Sequence, residues 1–182
     1  MTNQIGNRAG RDFAGRDINY NAPQERTPMM ALVEQFKAEV ESDQTLSCLI
    51  EKLEHYFLNS TSTDIRDLSE KLSCAGRNDL LKEALARKEA AYKLIMRNQG
   101  SRSAQLIFAY VLAELVVNFE QTVRPLVQEG AERAAVDRAI LDHVITPTHR
   151  ALEDNPLLLD KLEIQSFLYF LGGNCYIRWD PC

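Results

Sequence analysis

The chain is poor in the spacings that hold metals. Its four cysteines, Cys48, Cys74, Cys175 and Cys182, form no CxxC pair, and its histidines, His55, His143 and His149, include no i, i+4 pair. These absences argue against a zinc framework and leave the thiols as reduced, buried or inert groups. P-loop, zincin and nucleophile-elbow signatures are missing too. No catalytic, cofactor-binding or metal-ligating residue is therefore assigned, no cofactor is expected, and the chain is read as not an enzyme. The first residues, MTNQIGNRAGRD, contain no apolar run of a secretory signal. Glu114 interrupts the one stretch that approaches the roughly 18 apolar residues of a membrane span, so a cytoplasmic protein without membrane contact is expected. Positive charge is also short: 21 Lys and Arg against 26 Asp and Glu give −5. That balance opposes nucleic-acid binding by bulk electrostatics, which leaves a basic footprint.

What is present is helical. From Ser101 to Arg124, apolar residues cover nearly every side, from Leu106, Ile107 and Phe108 through Leu112 and Leu115 to Phe119 and Val123. A helix apolar almost all round is a buried one with neighbours on most faces. Pro125, lacking an amide hydrogen, is expected to kink or end it. Around it the periodicity predicts further helices. One starts at Thr27-Pro28 and reaches about Glu41, and a second covers about Gln44 to Leu58. A short one, Ile65 to Cys74, is capped by Asp64 and stopped by Gly76, and another follows the cap Asn78. A helix over about Ala131 to Ile145 turns Val136, Ile140, Leu141, Val144 and Ile145 inward. Thr146-Pro147 and Asn155-Pro156 repeat the cap-and-proline pattern, and the last helix runs from about Pro156 to Leu171. The fold class expected is all-α: a multi-helix bundle around a buried central helix, residues 27–182, with an N-terminal extended or β repeat in residues 1–26 and an extended C-terminal tail.

The repeat is Ala9-Gly10-Arg11-Asp12-Phe13 followed at once by Ala14-Gly15-Arg16-Asp17-Ile18. A period of five suits neither a helix nor a plain strand. Two units cannot bury a core, because stacked β units need about three or more. Three readings stand beside one another. The segment is a disordered tail, as Gly-rich polar termini often are; it self-assembles across chains, with Arg11, Asp12, Arg16 and Asp17 pairing while Phe13 and Ile18 stack between turns at Gly10 and Gly15; or its Gly-Arg turns bind phosphate. At the other end, Cys175, Ile177 and Trp179 alternate with Tyr176 and Arg178 in an extended tail whose indole packs on the bundle. Cys175, Tyr176, Arg178 and Trp179 are the candidates for docking a partner. Ser101 and Ser103, flanking Arg102 at a helix N-terminus, suit capping or an anion.

Several short motifs together resemble one family. They are Leu68-Ser69-Glu70-Lys71-Leu72 with Gly76, Lys88-Glu89-Ala90-Ala91-Tyr92-Lys93, Ser101-Arg102-Ser103-Ala104-Gln105, Phe119 with Val123-Arg124-Pro125, and above all Gly173-Asn174-Cys175-Tyr176-Ile177-Arg178-Trp179-Asp180. They are similar to the helical C-terminal domains of bacterial ABC-three-component conflict systems, and the Gly-Arg-Asp repeat resembles Gly-Asp-rich motifs of bacterial defence proteins. The resemblance implies a part in anti-phage or anti-plasmid defence, where an SMC-like ABC ATPase senses nucleic acid and an effector, often a nuclease, responds. Nothing resembling a nuclease precedes the helical domain, which favours an adaptor. The expected function is a non-enzymatic assembly component that forms a homo-oligomer through its repeat and docks an ATPase or effector. The alternative is a nucleic-acid-contacting subunit using Arg8, Arg11 and Arg16.

Overall fold

The computed structural model describes residues 27–42, 49–58, 66–152, 155 and 157–181. The Gly-Arg-Asp repeat, Cys48, Asp64, Ile65, Pro156 and Cys182 lie outside the described residues. Those described form an all-α bundle built on the central helix α5, Arg102–Gln128. Ile107, Phe108, Val111, Leu112, Leu115, Phe119 and Val123 of this helix are fully buried. By length and composition α5 is apolar enough to cross a bilayer, and 44% of its most apolar stretch is buried inside the bundle. Helix α1 (Pro28–Ser42) lies along it through Met29, Val33 and Phe36. Helix α2 (Glu51–Glu54, running into a 3-10 turn at His55–Phe57) crosses nearby, and α3 (Leu68–Cys74) leads to α4 (Leu81–Arg97). Helix α6 covers 133–151, and α7 (Lys161–Gly173) packs mainly along α4. Phe108 and Phe167 meet edge to face at 5.8 Å where α5 touches α7.

Pro125 does not end the central helix. The chain widens into a π turn at Phe119–Val123, in which the Arg124 amide reaches back five residues to the Phe119 carbonyl. It then continues as an α-helix over Arg124–Gln128. A proline deprives one carbonyl of its donor, and a π turn redistributes the bonds just before the ring. The same solution recurs in α6. There Ile140–Ile145 is a π turn, the Thr146 amide reaches the Leu141 carbonyl, and Pro147 follows inside a continuing helix. Thr146, expected as a cap, is itself helical at φ −65° and ψ −44°. The two π turns pack against each other, with Phe119, Val123, Val144 and Ile145 buried in the core.

Helix starts follow capping chemistry. Thr27 Oγ1 accepts the Met30 amide at 3.2 Å, and Pro28 takes the first helical position as expected. The cap of α3 is Asp67, in a reciprocal capping box with Glu70. Gly76, at φ +66°, stops that helix as expected. Asn78 is no side-chain cap: it opens a 3-10 turn, Asn78–Leu80, that feeds α4. The last helix begins at Lys161 and not at Pro156, because Asp160 and Glu163 form a second capping box. In α2 the helix begins at Glu51. Ile50 before it is extended, with its amide held by the side-chain oxygen of buried Gln105 on α5.

Candidate interaction site

The C-terminal tail closes the bundle, and Gly172 lets it do so. A Cβ placed on Gly172 would stand 2.4 Å from Cζ3 of Trp179, so only glycine lets the indole lie on the end of α7. Trp179 is 6% exposed and sits between Phe119, edge-on at 5.9 Å, and Tyr169 at 5.7 Å. The indole thus packs on the bundle, as expected, but the tail is not extended from its start: residues 174–175 form a turn, with Cys175 at φ 66°. Ile177 is fully buried beside it. Asp180, also fully buried, takes Arg66 Nη2 on Oδ1 at 3.0 Å, while its backbone carbonyl accepts from Arg124 Nη1 at 2.6 Å. Its Oδ2 has no partner among the described residues. The tail also holds α2. Asn174 Nδ2 donates to the Tyr56 carbonyl at 2.8 Å, and the Tyr176 hydroxyl donates to the His55 carbonyl, its ring lying against His55 and Tyr56. Burial pushes the Tyr176 phenol above its ordinary pKa. Of the four proposed docking residues, Cys175, Tyr176 and Arg178 are half-buried and Trp179 is turned inward.

The Trp179 ring also forms the foot of a groove of about 410 Å³ between the start of α4, the π turn of α6 and the first turns of α7. One side carries a relay of ion pairs. Arg133 grips Asp79 with two nitrogens, at 2.8 and 2.7 Å, and approaches Asp137 at 3.6 Å; Asp137 in turn binds buried Arg77 at 2.5 Å. Its hydrogen bonds from Arg133 hold the Asp79 carboxyl below its ordinary pKa. The other side carries open leucines beside Lys161 and Gln165. Leu141 is 43% and Leu162 51% exposed, although the helical pattern counted Leu141 as inward. The π turn accounts for Leu141, since the extra residue per turn shifts the side chains along Ile140–Ile145 around the helix axis. Charges already neutralised by one another beside open leucines make a surface suited to contact with a folded protein.

Ser101 and Ser103 are used within the chain. Ser101 Oγ accepts the Ala104 amide at 3.1 Å, the expected cap. The anion at this helix end is Glu39 of α1, whose Oε2 accepts from Ser101 Oγ at 2.8 Å and the Ser103 amide at 2.9 Å. Burial pushes the Glu39 carboxyl up, but the bonds from Ser103 and Ser101 and the charge of Arg102 outweigh it and hold the carboxyl below its ordinary value. His55 meets the tail edge to face, its ring 5.4 Å from that of Tyr176. Among the described residues, no three His, Cys, Asp or Glu side chains converge as a metal site. A second groove of about 530 Å³ runs between α4 and the turn before α7. Leu158 at its rim is 82% exposed in the left-handed region, at φ 52°.

The fold and its sealing tail define an all-α bundle domain. Over residues 67–179 the chain matches, and so belongs to, the family described as C-terminal domain 9 of the ABC-three component (ABC-3C) systems. The match opens at Asp67, the cap of α3, and closes at Trp179, the residue that seals the bundle. Helices α1 and α2 lie outside it. No curated protein and no solved structure matches the chain.

Proposed function

We propose that this chain is a cytoplasmic, non-enzymatic assembly component of a bacterial ABC-three-component defence system. Its bundle docks another protein of that system, the ABC ATPase or an effector, through the groove beside Trp179. Its repeat, Gly10-Arg11-Asp12-Phe13 and Gly15-Arg16-Asp17-Ile18, joins copies into a homo-oligomer and so raises the local concentration of docking surfaces. The observation that carries this reading is the groove itself. Two half-exposed leucines, Leu141 and Leu162, face a row of charges already satisfied by one another, within a chain that belongs to a family of such systems. An apolar centre rimmed by paired charge is the anatomy of a protein contact.

Co-purification with the ATPase and effector of the same system tests the docking role. Leu141→Asp combined with Leu162→Asp is expected to abolish the complex while the thermal melt of the free chain stays within a few degrees; retention of the complex refutes the groove. Removal of residues 1–22 is expected to lower the mass in solution to that of a single chain, and an unchanged mass rejects the role given to the repeat.

A further inference from the structure

Lys71 is fully buried, among the largest side chains in the interior. Its Nζ donates to the Gly172 carbonyl at 2.8 Å and to Sγ of Cys175 at 3.1 Å. No carboxylate among the described residues pairs with it. A buried amine so placed is costly, and cores normally supply an acid or leave the position apolar. Here a sulfur occupies the place of that acid. Cys175 holds its sulfur there from a left-handed backbone, φ 66°, which a non-glycine residue rarely adopts. Cys175 is half-buried as a residue, and its sulfur lies between the Lys71 amine and the Arg66 carbonyl, the latter at 3.9 Å. The two residues belong to α3 and to the turn after α7, segments about a hundred residues apart in the chain.

We propose that Lys71 and Cys175 are an oxidation-triggered bridging site that locks the C-terminal tail to α3. The oxidant is a hydroperoxide. Sγ attacks one peroxide oxygen and the O–O bond breaks. With hydrogen peroxide, this leaves a sulfenic acid on Cys175 and one water. The Nζ lone pair then attacks Sγ, the S–O bond breaks, and the departing hydroxide leaves with a proton from Nζ as a second water. The product is a sulfenamide, an S–N bond between the two side chains. Excess thiol reverses it, giving back the amine and the thiol and becoming a disulfide. Because Trp179 and Asp180 follow a few residues after Cys175, the bridge holds the stretch of tail that seals the bundle. This inference does not depend on the docking role proposed above.

The experiment treats the full chain with hydrogen peroxide and maps tryptic peptides without reductant. The expected product joins residues 67–77, uncut at Lys71, to residues 162–178, lighter than the two peptides together by two hydrogens, and dithiothreitol separates them. The oxidised chain is expected to melt several degrees higher than the reduced one. Lys71→Met keeps the volume of the side chain and is expected to leave Cys175 as a sulfenic acid that dimedone traps. Should that variant fail to fold, the peptide map of the unsubstituted chain decides alone. A Cys175 that ends as a sulfenic or sulfinic acid beside a free Lys71 overturns the proposal. So does a disulfide to Cys74, recognisable because trypsin then still cuts at Lys71, and so does a bridge that retains the oxygen.

Discussion

Helix α1 and the unit from α3 to the tail rest on the same central helix but are held to the bundle differently. Helix α1 contributes buried Met29, Val33 and Phe36 and a polar clasp in which Glu39 meets the first turn of α5. The unit from Asp67 to Trp179 closes on itself. Its last aromatic residue is wedged between α5 and α7, its α3 lysine reaches the end of α7, and ion pairs join the start of α4 to α6. The family match follows that division, covering the closed unit and omitting α1. Helix α1 thus lies outside the family's unit and is held by apolar burial together with a carboxylate clasp, the one part of that attachment that pH can loosen.

The largest effect that sharpens this contrast is expected from the tail. Trp179→Ala removes the wedge and is expected to cost about 3–5 kcal/mol in urea unfolding, with the whole bundle melting earlier. Gly172→Val, which drives a side chain into the same indole, is expected to be similarly disruptive. A smaller effect is expected at the clasp. Ser101→Ala removes both the cap of α5 and a bond to Glu39, for about 1 kcal/mol. The smallest is the pH response of α1. The Glu39 carboxyl is held below its unfolded value, so its contribution is complete above about pH 4.3 and is lost as pH falls through the lower folded value. Hydrogen exchange in α1 is expected to quicken in that window in the native protein and not in Glu39→Gln. An exchange rate in α1 that tracks the rest of the bundle at every pH breaks the comparison.

Much of this was legible because burial leaves a period in the sequence. The apolar pattern of Ser101 to Arg124 marked the central helix, and a tail with no sheet to join was expected to lay its Trp179 on the bundle, whereas its alternation gave no sign of the turn at Cys175. The capping boxes were also written there, as Asp67 with Glu70 and Asp160 with Glu163, three residues apart. Reading Asp64 and Asn155-Pro156 as starts overlooked that spacing. The π turns were not legible: a proline shows a missing donor, but whether the helix breaks or widens depends on what packs beneath it, here the other π turn. Glu39 gave no local signal either, because it meets Ser101 across 62 residues. Nor did Lys71, whose place on the inner face of α3 reads as an ordinary helical lysine. The groove was hidden for a related reason: Leu141 fits an inward stripe, and the π turn leaves it open.

Hydrogen exchange of the full chain, alone and with the ABC ATPase of its system, tests whether the groove beside Trp179 is the docking surface. New protection is expected in peptides carrying Leu141 and Leu162, with α1 unchanged. Protection confined to α1, or a complex that leaves the groove exchanging as in the free chain, would contradict it.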